Sequence, residues 1–174
     1  NPPEEGKWAI RWERDGKLVR DSIYTDELYD TYLLTQEDVG GALTVTVAFK
    51  DSTFDTWSFL SSSATATIAN RNDAPLGTVT ISGTTTEGQT LTASNNLTDE
   101  DGLNNATFSY QWQRDNADIT GATSSTYTLT QDDVDSKITV TASYTDDYNT
   151  DESVTSSATT TVLNINDDPT GSVT

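Results

Sequence analysis

The residues best suited to chemistry in this chain are carboxylates and amides set at alternate positions in turns. Asp99-Glu100-Asp101-Gly102 is a D-x-D-G cluster that follows the alternation Leu91-Thr92-Ala93. Upstream of it stands Asn70-Arg71-Asn72-Asp73-Ala74-Pro75, and the same N-x-N-D-x-P pattern recurs as Asn164-Ile165-Asn166-Asp167-Asp168-Pro169. Alternate positions in a loop aim two side-chain oxygens at one point, and calcium takes roughly six to eight hard oxygen ligands. Without a cation, such carboxylates repel one another by on the order of 1 kcal/mol or more per close pair. A bound ion reverses that sign. The expected metal ligands are Asn70, Asn72, Asp73, Glu87, Asp99, Asp101, Asp146, Asn164, Asn166 and Asp167, and the expected ion is Ca2+.

These loops need elements to position them, and the chain supplies two copies of one pattern. Trp12-Glu13-Arg14-Asp15-Gly16 matches Trp112-Gln113-Arg114-Asp115-Asn116. Tyr32-Leu33-Leu34-Thr35-Gln36-Glu37-Asp38-Val39 matches Tyr127-Thr128-Leu129-Thr130-Gln131-Asp132-Asp133-Val134. Leu43 to Val47 matches Ile138 to Ala142, and Ser63 to Thr67 resembles Ser157 to Thr161. The period is about 95 residues, the size of an immunoglobulin-like sandwich. The second copy reads as seven strands with regular turn signals: 78–82, 90–94, a strand carrying Phe108, Tyr110 and Trp112 on its inward face, a short strand around Ile119, 126–130, 137–144 and 154–163. Thr and Ser fill the outward positions, as suits a sheet wet on one face.

Alternating strand directions sort the loops into two poles. The linker before the second copy, the loop at Asp99 to Asn105 and the hairpin at Asp146 to Asp151 fall at one pole. The Glu87 turn, the turn at Gln131-Asp132-Asp133 and the following linker fall at the other. Asp99, Asp101 and Asp146 are therefore expected to meet Asn70, Asn72 and Asp73. The first copy begins close to its Trp12 strand, with no counterpart of the first two strands, the T-E-G-Q turn or the D-x-D-G loop. Five strands there leave one face short of partners. Its last hairpin is aromatic, with Phe49, Phe54, Trp57 and Phe59, and Trp57 reads as lying in or beside a loop. Trp12 and Trp112 read as core anchors.

The totals narrow the functions. The 174 residues carry 28 acidic and 9 basic side chains, a net charge of −19, which disfavours nucleic acid and anionic lipid. Cysteine and histidine are absent, so disulfides, thiolate nucleophiles, Cys/His zinc sites and His-dependent triads are excluded. No apolar run approaches membrane-spanning length, and the N-terminus lacks signal-peptide character. The acids concentrate in turns rather than facing each other across a cleft, so an enzyme is not expected.

Gly77 to Gly83, Thr86 to Ala93, Ser109 to Asp115 and Tyr127 to Gln131 resemble the tandem immunoglobulin-like repeats of giant bacterial surface adhesins, including those exported by type I secretion with RTX repeats near the far end. The resemblance covers 77–168 and, more weakly, 7–76. The linkers resemble the D-x-N-D-N-x-P joints of cadherins, with the first Asp replaced by Asn70 or Asn164, which leaves the number of ions per joint open. The resemblance implies an extracellular, cell-surface protein of adhesion and biofilm formation, in which calcium-stiffened repeats hold a distal binding domain away from the cell. The fold expected is all-β, two tandem immunoglobulin-like or cadherin-like antiparallel sandwiches: 1–73 incomplete, 74–168 complete, and 169–174 the start of a further repeat. The chain is expected to be a monomer whose partners are neighbouring repeats. Two other readings stay open: a glycan- or peptide-binding module formed by the first copy, which would then be part of a split domain, and an accessory domain of a secreted polysaccharide-degrading enzyme.

Overall fold

The computed structural model describes residues 8–25, 29–51 and 56–168, and the fold they form is all-β and antiparallel. The expectations on Asn1 to Gly6, on Phe54 and on 169–174 fall outside those residues. The chain divides into two compact units, Asn1–Arg71 and Asn72–Thr174.

In the first unit, β1 (Trp8–Arg14), β2 (Lys17–Thr25), β3 (Leu43–Asp51) and β4 (Thr56–Ser61) form one sheet in the order β2-β1-β3-β4. Asp15 and Gly16 close the β1–β2 hairpin at φ 48° and 78°, the positive angles that match the twist of paired strands. Trp57 is the second residue of β4, opposite Lys50, and so stands on a strand beside the β3–β4 connection. The fifth strand expected here, around Tyr32, is not a strand. Extended backbone counts as sheet only when a neighbour accepts its hydrogen bonds, and none of the described residues does so at Tyr32 to Leu34.

The second unit is a two-layer sandwich compatible with the immunoglobulin-like class. One layer is β5 (Val79–Ser82), β6 (Thr90–Asn95) and β9 (Thr126–Thr128), in the order β5-β6-β9. The other is β7 (Ser109–Arg114), β8 (Ala117–Asp118), β10 (Ile138–Thr145) and β11 (Asp151–Thr155), in the order β11-β10-β7-β8. The period-two pattern of β10 puts Ile138, Val140, Ala142 and Tyr144 inside. They meet Val79, Leu91 and Ala93 from the facing layer around Trp112, which is fully buried. Phe108 and Tyr110 are half-buried against this core, as their parity with Trp112 predicts.

The last strand is shorter than expected and begins earlier. After Thr155 the chain leaves the ladder because hydroxyls take over the carbonyls' role: Ser156 Oγ accepts the Val140 N–H and Thr159 Oγ accepts the Ile138 N–H, both at 3.0 Å. The chain then returns as isolated parallel bridges, Val162 with Val134 and Leu163 with Thr86.

Candidate metal centre

The D-x-D-G loop leaves β6 through Leu97 and Thr98. Thr98 exchanges both backbone hydrogen bonds with Leu76 at 2.8 Å, which ties the end of the linker to the start of the loop. Asp99 then organises the turn. Its Oδ1 accepts the Asp101 N–H (2.9 Å), its carbonyl accepts the Gly102 N–H (3.1 Å), and its Oδ2 accepts the Tyr144 hydroxyl (2.6 Å). Burial, then the Asp99 carboxylate, push the Tyr144 phenol well above its ordinary range. Gly102 takes φ +91°, and a Cβ there would stand 2.4 Å from Asp147 Oδ2. Only glycine lets the loop approach the hairpin this closely.

Three segments meet at this pole. Asp101 is almost fully buried, at 1 % exposure, and its Oδ2 accepts the Asp73 N–H at 2.7 Å. Asn72 donates to Glu152 Oε1 at 2.7 Å. The Asp147 N–H donates to the Gly102 carbonyl at 3.2 Å. In the hairpin, Asp146 Oδ1 accepts the Tyr148 and Thr150 N–H groups, both at 2.8 Å, whereas Asp146 Oδ2 is buried without a hydrogen-bond partner. A buried anionic oxygen left without a donor is costly. The donor types at this pole are carboxylate and amide oxygens, of the kind calcium selects, and Asp146 Oδ2 is the one without a hydrogen-bond partner. Among the described residues, however, no three Asp or Glu side chains are gathered as a ready-made cage.

Glu87 and Asn164 lie at the opposite end of β6 from Asp99. The Ile165 N–H donates to Glu87 Oε2 at 3.3 Å, and the Glu87 N–H donates to the Leu163 carbonyl at 2.9 Å. Gln131 bonds Asn164 in either amide orientation. With nitrogen and oxygen exchanged it also donates to both Glu87 oxygens at 3.2 Å. Asn70, in the first unit, accepts from Gln36 Nε2 at 3.0 Å, the counterpart of the Gln131–Asn164 contact. Asn166 donates to the neighbouring Asp167 carbonyl at 3.1 Å, and both residues are exposed. The structure thus brings Asn72, Asp73, Asp99, Asp101 and Asp146 to one pole of the second unit, and sets Glu87 with Asn164 at the other.

Two features escaped the sequence reading. Asp147 accepts four hydrogen bonds, from the backbone and side-chain amides of Asn104 and Asn105. Burial acts against its charge, but these donors outweigh it and hold the carboxyl below its ordinary range. The Asp-Asp doublet carries the signal: one carboxylate serves the hairpin and its neighbour grips the facing loop. The second feature is a buried ion pair present in both copies. Asp133 is fully buried; it takes hydrogen bonds from Arg114 Nε (2.8 Å), the Tyr127 hydroxyl (2.8 Å), and the Thr130 N–H (2.7 Å) and hydroxyl (3.0 Å). Asp38 does the same with Arg14, Tyr32 and Thr35. The spacing Thr-x-x-Asp is a capping-box signature that could have revealed half of each network.

The sequence matches no family model and no curated protein.

Proposed function

We propose that this chain is a spacer segment of a bacterial cell-surface adhesin, stiffened by calcium where its repeats join and holding a distal binding domain away from the cell. The observation that carries the reading is the buried, donor-free Asp146 Oδ2 beside a loop whose Asp101 already grips the linker through the Asp73 N–H. Calcium would be held by Asp101, Asp146 and Asp99, with Asn72 and Asp73 from the linker. It would supply no reaction. It would neutralise the carboxylates and fix the linker against the sandwich.

The test is a thermal melt and small-angle scattering in millimolar calcium and then in chelator. Calcium is expected to raise the melting temperature of the second unit by about 5 °C or more, as binding to the folded state alone requires, and to lengthen the particle. Asp99→Asn with Asp101→Asn should abolish the rise, and Asp146→Asn should raise the melting temperature in chelator. A melting temperature indifferent to calcium, or a rise that survives the double substitution, rejects the reading.

A further inference from the structure

The sheet of the first unit and the β8-β7-β10-β11 sheet of the second have the same strand order, and the repeat matches them residue for residue. Trp12 answers Trp112, Val45 answers Val140 and Val47 answers Ala142, in the same register across β1–β3 and β7–β10. In the second unit this face is covered by β5, β6 and β9, and those three residues are fully buried. In the first unit Trp12, Val45 and Val47 are only half-buried. The clearest contrast is one position. Leu129 is 2 % exposed, its N–H donates to the Gln89 carbonyl (2.9 Å), and its own carbonyl accepts the Gly88 N–H (3.0 Å). Leu34, its counterpart, is 51 % exposed and its neighbour Leu33 is 83 % exposed. Among the described residues neither main-chain group of Leu34 is bonded. The same holds for Ala69, whose counterpart Leu163 donates to the Thr85 carbonyl and accepts from the Glu87 N–H, both at 2.9 Å.

An apolar sheet face bordered by free main-chain donors and acceptors is a seat for added strands: the hydrogen bonds give affinity and the alternating side chains give register. The second unit specifies what fits. We infer that the first unit accepts a β-hairpin of the β5–β6 kind, two short strands with apolar residues at alternate positions. One strand of it pairs with Tyr32 to Leu34 as β6 pairs with β9, through Thr90–Thr128 and Leu91–Tyr127. The turn before that strand runs parallel to Ala69, as Thr86 does to Leu163. Its alternate apolar residues, in the places of Leu91 and Ala93, close over Trp12, Val45 and Leu34. This inference does not rest on the calcium reading.

The probe is a synthetic peptide of residues 76–98, the hairpin that covers the equivalent face, titrated into the whole chain. Stoichiometric binding is expected, with amide exchange at Leu34 and Ala69 slowed by about tenfold or more as those groups acquire partners. Leu34→Asp should abolish the binding. Leu34 is exposed, so this variant keeps its fold, which circular dichroism checks. The inference is overturned if the peptide fails to bind up to millimolar concentration, or if binding survives Leu34→Asp. It is equally overturned if sedimentation shows a dimer that Leu34→Asp dissolves, because a second copy would then be the occupant.

Discussion

Two copies of one pattern differ most, among the described residues, in the presence of a facing layer, and the comparison separates what neighbouring residues fix from what a layer fixes. The hairpin turn is the same: Asp115 and Asn116 sit at φ 47° and 68°, where Asp15 and Gly16 sit at 48° and 78°. The Asp15 N–H donates to the Ala42 carbonyl and the Asp115 N–H to the Lys137 carbonyl. Trp12 and Tyr32 rings lie 5.8 Å apart, Trp112 and Tyr127 rings 5.7 Å apart. The Arg–Asp–Tyr–Thr network is kept whole. What changes is burial. The extended hydrophobic core belongs to the second unit, while in the first unit Ile10 and Leu43 are the buried apolar residues among the side chains described. Ring pairs, turns and ion pairs therefore form along one sheet, while exclusion of water needs two.

The largest expected effect tests that separation directly. Trp112→Ala removes a fully buried ring that also donates its Nε1–H to the Ser124 carbonyl at 2.8 Å. It should destabilise the second unit by about 3–5 kcal/mol. Trp12→Ala takes away a half-buried ring whose Nε1–H bonds Asp30 Oδ2 at 3.1 Å. It should cost the first unit less than half as much. Hydrogen exchange resolved by residue reads each unit separately. Equal losses would mean that the first sheet is covered as fully as the second.

The intermediate effect concerns what the copies share. Arg114 and Asp133 are 2.8 Å apart, with the carboxylate at 0 % side-chain exposure and the guanidinium at 29 %. Burial works against the Asp133 charge, but the Thr130 N–H, Arg114, Tyr127 and the Thr130 hydroxyl outweigh it, so the carboxyl is held below its ordinary 3.8. Asp38 is depressed in the same way. A depressed folded-state value contributes stability that is present above the unfolded value and lost as pH falls through the folded one. Each unit should therefore lose stability below about pH 4. Asp133→Asn should cost about 3 kcal/mol at neutral pH, as removal of one partner from a buried pair does, and should flatten the acid limb of the second unit alone. Asp38→Asn should act equally on the first. A loss in one copy only would show that the network depends on the layer after all.

The sequence was most legible where contacts are near in the chain or repeat at period two. The alternation of Ile138 to Tyr144 places the core face of β10, and the acidic turn chemistry marks both hairpin tips. The convergence of Asp101 with Asp73 followed from counting strand directions. Legibility ended where one residue type serves two structures. The Thr- and Ser-rich run from Ser156 looks like continuing strand because its alternation persists, yet its hydroxyls replace main-chain acceptors and bend it off the ladder. Trp57 has no match in the second copy and reads as lying in or beside a loop; it is the second residue of β4 and pairs with Lys50 of β3. The Arg114 partner of Asp133 comes from a strand 19 residues away, and only the fold decides which arginine arrives. Asp146 and Asp147 are adjacent and chemically identical. Which of them grips the loop and which is left with a buried bare oxygen depends on the hairpin's pleat.

The smallest expected effect measures how far the lack of a facing layer among the described residues of the first unit reaches into hydrogen bonding. The hydroxyl device after the last strand exists in both copies. Val140 N–H donates to Ser156 Oγ and Val45 N–H donates to Ser62 Oγ, each at 3.0 Å, and Ser156 and Ser62 return the bond through their own N–H groups at 2.9 Å. The geometry is the same, but the first pair is buried and the second is exposed. Removing an acceptor from a buried N–H leaves it without water or protein, at about 1–3 kcal/mol, whereas an exposed N–H turns to solvent and loses about 0.5 kcal/mol. Ser156→Ala should therefore cost the second unit severalfold more than Ser62→Ala costs the first, measured as amide exchange at Val140 and Val45. If the two losses agree, water does not reach the Val45 amide. Whatever shields it then covers the first sheet beyond the residues described, and an added hairpin would have to displace it.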